Sequence, residues 1–481
     1  MKSRFLVPCV AAIFLLALAF FFDFELSPGM SSDATDWAMY VMHARNIVTG
    51  HPYAQTGYVF QPEVGAEIGA TAYPAGFPLM LAPFYAVEGL NIKVFKLLNA
   101  GFLVLSLWAA YLFARRTLSA LGSLVLIVAL GFSWLFMAHF NSIGSDAPYE
   151  LVSLLVLLLL LRIYDQRLNE TSPWKWGLWA GMSIVAAYLI RPFGLAFLVA
   201  VAFLEILQKR RITAFLTATM AAFVPLMLLN NLLFHSDGGY ADQFTFSILS
   251  IARHALEYVS LFSYVFANPL SNLFRYILWA ATLVPVVFGI VRRVRAGLSV
   301  TELYVLILLG VESVYWTANA RYLLPLMPIY LVYMFEGFQV MEERFPQRWR
   351  LPLKALAAAL LLLAPAANAF RVRPDSKDTL VTAPRYEELC AAVRRQTTPN
   401  ALVIFWNPRV FAFSTGRFSS GWPAVGMAEE IQYLRRVHPN YIVADKSRPD
   451  DRRFLLPVLD GSLKGATIYE NDEFRLVQVL E

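Results

Sequence analysis

The strongest constraint on this chain is the recurrence of apolar runs close to bilayer length. They cover Phe5–Phe22, Val94–Ala114, Leu118–Phe140, Ala147–Ile163, Trp174–Ile190, Pro192–Leu207, Ile212–Phe234, Leu273–Val291, Val300–Trp316, Tyr322–Phe335 and Leu353–Ala367. A helix needs about 20 apolar residues to cross the hydrocarbon core. The expected fold class is therefore a polytopic α-helical membrane protein with about eleven transmembrane helices. Composition agrees, because 58% of the 481 residues are hydrophobic and only 15% are charged, against about a quarter charged in soluble domains. The net charge of +6 does not call for nucleic acid, since the basic residues cluster between apolar runs, where they act as topology signals. The first run follows Met1-Lys2-Ser3-Arg4 but has no clean small-x-small site after it, so an uncleaved first span is expected. Cys9 and Cys390 are the two cysteines, too few and too far apart in sequence for a disulfide framework or a metal cluster.

Charge also decides the status of Pro78–Leu90, an apolar segment that is short for a span and interrupted by Pro83. If it does not cross, one side of the membrane receives Lys2 and Arg4, Arg115 and Arg116, Arg162 and Arg167, Lys209 to Arg211, Arg292 to Arg295, and Arg344 to Lys354. Every loop on that side is then basic, as the positive-inside rule requires. Pro78–Leu90 is accordingly expected as a juxtamembrane or re-entrant helix. The opposite side receives the first loop, residues 23–92, the Asn141–Asp146 turn, the Ile190–Pro192 junction, the His235–Asn272 loop, the Ala318–Arg321 turn and everything after Phe370.

Beyond Phe370 the apolar runs shorten to strand length, at Ala401–Trp406, Tyr441–Ala444, Ala466–Tyr469 and Phe474–Val479. Helical patterns at Arg385–Arg395, Met427–Val437 and Asp450–Leu459 alternate with them. This predicts a small C-terminal extracytoplasmic α/β domain over 370–481, after a membrane domain over 1–369.

Polar residues without a topological reason collect on the basic-poor side. Asp36 stands just beyond the first span, at the start of a helical pattern that carries Tyr40, His43 and Arg45. A carboxylate there can take a proton from a nucleophile, or cap the helix. Asp33 is the better cap candidate and Asp36 the better base. Asp146, in Ser145-Asp146-Ala147-Pro148-Tyr149-Glu150, fits an N-cap with Pro in the first turn. Arg191 and Arg321 sit where positive charge is normally avoided. Either can snorkel to headgroups, or hold a lipid-linked phosphate in a bidentate fork. Lys93 is a weaker phosphate candidate. Glu312, within a span, is expected to face a cavity or pair with Arg321. His139, His235 and His254 show no ligand spacing, so no metal site is expected, and Asp237 and Asp242 read as solvated loop residues.

Two stretches carry a resemblance. Asp36-Trp37-Ala38-Met39-Tyr40, Ala44-Arg45-Asn46-Ile47 and Gly50-His51-Pro52-Tyr53 resemble the first-loop signature of GT-C glycosyltransferases, the superfamily of protein O-mannosyltransferases and lipid A aminoarabinose transferases. Tyr73-Pro74-Ala75-Gly76-Phe77-Pro78 is similar to their Tyr-Pro-Pro-Gly-Tyr-Pro element, with Ala75 in place of the second proline. Tyr73 stands where the aminoarabinose branch has a lysine, and Trp37 where it often has Glu. The resemblance extends to the acid at Asp146, the Arg191-Pro192 pair and Arg321-Tyr322-Leu323-Leu324-Pro325. More weakly, it reaches the Pro408-Arg409 and Thr415-Gly416-Arg417 pattern of the tail, which reads as packing.

The resemblance implies an integral membrane glycosyltransferase. It would move a sugar from a polyprenyl-phosphate donor to a lipid, glycan or protein acceptor, by direct displacement with inversion. Asp36 would activate the acceptor and Asp146 would assist. Arg191 and Arg321 would bind phosphate, with Tyr40, Tyr73, Glu312 and Lys93 as further substrate contacts. No nucleotide cofactor is required, and a divalent cation is left open. The expected location is the bacterial plasma membrane, with the site and C-terminus outside the cytoplasm. A lipid-linked-glycan flippase and a non-catalytic member of the fold are the alternatives. The flippase reading calls for inverted repeats, and none is evident.

Overall fold

The computed structural model describes residues 3–26, 35–64, 68–234, 238–268, 271–371, 381 and 383–480. Asp33, His235 and Asp237, weighed above, lie outside them. The chain divides into two compact units.

The first unit comprises Met1–Leu26, Lys93–Leu232 and Phe244–Pro374. Helices occupy most of each apolar run that predicts a span. Among the described residues, seven helices are long and apolar enough to cross a membrane: Ile92–Ala114, Asp146–Asp165, Pro192–Lys209, Ala214–Leu233, Asn272–Ala296, Ala320–Glu342 and Gln347–Ala369. The expected span Leu118–Phe140 is instead two helices, Ala120–Gly131 and Trp134–Phe140, bent by 58°. Ser133 starts the second one by accepting from the Phe136 N–H, a local N-cap that ends one helix axis and begins another. Counting that pair as one span gives eight. Val7–Phe22 forms a shorter apolar helix, Pro173–Ile190 is fully helical, and Val300–Ser313 stops before the expected Trp316. It stops because Phe244 and Tyr315 form an antiparallel bridge, in which Thr245 N–H donates to the Val314 carbonyl at 2.7 Å.

Helices in this unit approach closely where small residues allow it. Asn272–Ala296 packs along Met327–Glu342, and a Cβ added at Gly337 would fall 1.6 Å from the Pro285 carbonyl oxygen. Near the end of that pair, Arg293 forks onto Glu336, with N–O distances of 2.7 and 2.5 Å.

The second unit gathers Ser27–Ile92, Leu233–Gln243 and Asp375–Glu481. Its sheet has five strands, β1 (Leu402–Ile404), β2 (Phe418–Ser420), β3 (Tyr441–Asp445), β4 (Gly465–Glu470) and β5 (Phe474–Val479), in the order β2-β1-β3-β5-β4. β1 is parallel to β2 and β3, with Leu402 opposite Phe418 and Ile404 opposite Ile442. β5 runs antiparallel between β3 and β4. The core joins Ile404, Ile442, Ala444 and Val477 of the sheet to Leu434, Leu455 and Val458 of the helices. Four of the strands and the helix Met427–Val437 lie where the alternation predicts them. β2 was not expected, because it is three residues long, with serine at two of its positions.

The first loop is part of this unit. Tyr58 forms a parallel bridge with Ser419 of β2, through Val59 N–H to Ser419 O at 2.8 Å and Ser419 N–H to Gly57 O at 2.9 Å. Gly57 sits at φ +80°, and a Cβ there would press on the Arg417 carbonyl at 3.0 Å, so both its conformation and its neighbour call for glycine. Pro78–Leu90 does form a short helix, Gly76–Glu88, which packs on Asp36–Thr49 through the Phe77 and Tyr40 rings at 5.0 Å.

Candidate active site

In the second unit, Asp36 opens the helix Asp36–Thr49 at its first position, after Thr35. An acid in that turn complements the helix dipole. Asp36 Oδ1 accepts from the Tyr73 hydroxyl at 2.7 Å and pairs with Nη1 of Arg409 at 3.3 Å. The same Nη1 donates to Thr35 Oγ1 at 3.1 Å. The Arg409 guanidinium also lies over the rings of Tyr58 and Tyr73, 5.2 and 5.6 Å from their centroids. Asp36 keeps 27% of its side chain exposed while Arg409 keeps 9%, so the acid is reachable and its partner is enclosed.

Tyr40 and His43 follow Asp36 on one helix face. Tyr40 meets Tyr73 edge-on at 5.4 Å. His43 is fully buried and stacks on Tyr53 at 3.9 Å, with Nδ1 2.8 Å from the Tyr53 carbonyl oxygen. Burial lowers its pKa to about 4, so it is neutral at physiological pH. Burial likewise raises the Tyr73 phenol well above its ordinary value, against the opposing pull of Arg409. Tyr73 therefore acts as a hydrogen-bond donor rather than an acid. Its backbone is held in turn, because the Tyr53 hydroxyl donates to the Tyr73 carbonyl at 2.8 Å. Asn46 closes the turn that follows the helix by donating to the carbonyls of Pro52 and Gln55, at 3.1 and 2.8 Å.

In the first unit, Asp146 likewise opens a helix, Asp146–Asp165. Its carboxylate goes to Arg191, 2.8 Å from Nη2, and both side chains are buried. Arg191 Nε donates to Ser145 Oγ at 2.9 Å. Arg191 can reach them because it ends the helix Pro173–Ile190 in an extended conformation, with φ −148° and ψ 136°, ahead of Pro192, as the residue before a proline prefers. Its guanidinium faces the Tyr322 ring at 5.6 Å. Arg321 faces the same ring at 5.1 Å and donates to the Tyr322 hydroxyl at 3.2 Å. Asp146, Arg191 and Arg321 all lie within electrostatic reach of His139. Glu150 and Glu312 are completely buried, and none of their carboxylate oxygens has a hydrogen-bond partner among the described residues. The expected Glu312–Arg321 pair therefore does not form, and Arg191 is the cation whose charge Glu312 senses.

Lys93 is exposed. One turn further, Lys96 is fully buried and donates to Asn141 Oδ1 at 3.0 Å, while Asn99 donates to the His139 carbonyl at 3.0 Å. These two side chains fix the turn that leads into Asp146.

Solved structures with a similar fold exist. ArnT from Cupriavidus metallidurans superposes with a TM-score of 0.57 at 12% identity, over 99% of this chain and 98% of that one. Its complex with undecaprenyl phosphate gives 0.56 at 12% identity, over 98% and 97%. The archaeal oligosaccharyltransferase AglB from Archaeoglobus fulgidus, in complex with an inhibitory peptide and a dolichol-phosphate, gives 0.59 at 13% identity, over 100% of this chain and 75% of that one. The chain has their fold. It is the GT-C fold that the first-loop residues resemble, here with its small C-terminal sheet. No family model and no curated protein matches the sequence.

Sequence reasoning read Arg409 as packing and missed Lys96 at these two clusters. Arg409 had a readable signal. Asn407 caps the helix Pro408–Thr415 and Pro408 is its first residue, so Arg409 is a cation in a first turn, against the dipole. Such a residue needs a partner from elsewhere. Lys96 had none beyond its place in an apolar run.

Proposed function

We propose that this protein is an integral membrane glycosyltransferase that moves a sugar from a polyprenyl-phosphate donor to a lipid, glycan or protein acceptor. The observation that carries the reading is Asp36, a reachable carboxylate at a helix start, oriented by a buried phenol and a buried guanidinium, in a chain with the GT-C fold. ArnT bound to undecaprenyl phosphate and AglB bound to a dolichol-phosphate support the donor class.

In the proposed reaction Asp36 takes the proton of the acceptor nucleophile as that atom bonds to the anomeric carbon. The bond from that carbon to the phosphate oxygen breaks, its electron pair leaves with the polyprenyl phosphate, and the configuration inverts. Arg191 and Arg321 stabilise the phosphate as it leaves, and Asp146 holds Arg191 in place for this. Tyr40 and Tyr73 shape the first-loop cluster, while Glu312 and Lys93 are candidate substrate contacts. No metal-ligand cluster occurs among the described residues, and the chemistry of the donor needs no nucleotide. The membrane domain spans 1–369 and the extracytoplasmic domain 370–481. The protein lies in a bacterial plasma membrane with the Asp36 cluster and the C-terminus outside the cytoplasm.

The test is transfer from a panel of radiolabelled undecaprenyl-phosphate sugars by the purified protein in lipid, with a membrane extract as acceptor source. Wild type should release undecaprenyl phosphate and label the extract, and Asp36→Ala should not. Transfer that persists in the variant removes Asp36 as the base. Donor binding without transfer by wild type favours a flippase or a non-catalytic protein.

A further inference from the structure

We infer that Arg409, which the C-terminal part of the chain contributes, is a positioning residue for Asp36. Its guanidinium and the Tyr73 hydroxyl converge on one carboxylate oxygen and hold the acid ionised in one orientation. The inference rests on the reading of Asp36 as the general base.

Four observations carry it. First, Arg409 lies within 3.3 Å of Asp36 Oδ1, and the Tyr73 hydroxyl lies within 2.7 Å of the same oxygen. Two donors on one oxygen fix the carboxylate plane. Second, Arg409 is 7% exposed, so the pair is little screened by solvent and strengthened accordingly. Third, its site is built. Asn407 and Pro408 set the start of its helix, Phe413 meets Trp37 edge-on at 5.0 Å, and the rings of Tyr58 and Tyr73 flank the guanidinium. Tyr58 is itself locked by the bridge to Ser419. Fourth, a cation in the first turn of its own helix is disfavoured there, and the Asp36 carboxylate offsets that cost.

The charged and titratable groups around the pair come from three directions. Asp36 and Tyr40 lie on one helix, Tyr58 and Tyr73 on the rest of the first loop, and Arg409 on the C-terminal segment, with Tyr240 in the field of Tyr73. Among these described groups Arg409 carries the positive charge. The C-terminal segment thus supplies a working part of the Asp36 centre as well as a fold.

The experiment uses the full chain in lipid, as wild type, Arg409→Gln and Arg409→Lys, each checked for a retained melting temperature. A hydrophobic carbodiimide, which reacts with protonated carboxyls, labels Asp36 across a pH series, and the Asp36 peptide is quantified by mass spectrometry. Loss of the neighbouring cation should move the labelling midpoint of Arg409→Gln upward by about one pH unit or more. In the transfer assay, both variants should lose kcat by about 10- to 100-fold with the donor KM nearly unchanged, as misorientation of a base predicts. Arg409→Lys keeps a cation but not the planar fork, so it should keep the wild-type labelling midpoint while losing kcat, and its kcat decides the inference if Arg409→Gln does not fold. A folded Arg409→Gln with the wild-type midpoint overturns the inference. So do variants that retain the wild-type kcat. If wild type turns over no donor in the panel, the glycosyltransferase reading loses its support, while the labelling midpoint still decides whether Arg409 controls Asp36.

Discussion

Asp36 and Asp146 each open a helix, and each carboxylate meets a guanidinium from a distant part of the chain. Asp36 is held by Tyr73 and Arg409, and Asp146 by Arg191. A first-turn acid gains from the dipole in either case, so the favourable helix start and the ion pair coexist. From sequence alone, cap and functional acid look identical at such positions, because both readings call for Asp just before an apolar run. What separates them is the partner, which in both cases comes from a distant part of the chain. Removing one partner of a buried pair strands the other charge. Arg191→Ala should therefore cost about 3–5 kcal/mol, read as a lowered melting temperature in lipid. Asp146→Asn in the same chain should recover part of that loss, and additive losses would count against the pairing. Asp36→Asn, nearly the same size, should keep the fold and lower transfer by about 10²–10⁴-fold. The phosphate assignment of Arg321 predicts a raised donor KM for Arg321→Gln in the same assay.

At the scale of elements, hydropathy located the helices but not their breaks. The run Leu118–Phe140 is apolar apart from Ser119, Ser123, Ser133 and His139, and its bend coincides with the N-cap hydroxyl of Ser133. The close crossing of Asn272–Ala296 and Met327–Glu342 depends on Gly289 and Gly337, each facing the other helix's backbone. Gly337→Ala should cost about 3 kcal/mol, at the upper end of overpacking effects, whereas Gly310→Ala, which meets open space, should be neutral or slightly stabilising. Thermal unfolding of the two variants in the same lipid checks this contrast. Asn407→Ala removes the cap that starts the Arg409 helix and should cost about 1 kcal/mol. It should also displace Arg409, so transfer should fall more than stability does.

For the whole molecule, the first loop and the tail share one compact unit, although more than 280 residues of sequence separate them. That unit carries a pH signature. Burial, with the Asp451 charge beside it, raises Glu430 to about 8. Burial also raises Asp451 to about 7, partly opposed by its backbone hydrogen bond and by Arg448. Folded acids with raised pKa values bind more protons than the unfolded chain does, so they stabilise at low pH and the gain is lost as pH rises through their folded values. His43, lowered to about 4, acts in the opposite sense, but only below its unfolded value of 6.5. Between pH 6.5 and 8 the acids act without it. Stability of this unit should fall by on the order of 2 kcal/mol across that window, and Glu430→Gln should flatten the curve. Amide exchange of the β-strands across the pH series checks both. For topology, a reporter joined after Glu481 should be active outside the cytoplasm, and cytoplasmic activity sinks the proposed orientation.

The sequence by itself determined the class of molecule. Bilayer-length apolar runs admit few solutions because the backbone must satisfy its own polar groups in lipid. Four of the five strands and the helices between them followed from alternation, Asp36, Asp146 and Arg191 stood out as polar residues with no topological duty, and Tyr73 entered only through a family resemblance. Tertiary structure decided which of these residues meet. It brought Tyr73 and Arg409 to Asp36, brought Arg191 to Asp146, left Glu312 without the partner expected for it, and put Lys96 rather than Lys93 in the interior. The reason is physical. Periodicity records which face of an element is buried, since that is a local property of residue spacing. An ion pair between elements depends on loop paths and helix breaks set by single side chains such as Ser133, Asn407 and Gly57, and Asp36 acquired its guanidinium only when the tail of the chain folded against its first loop.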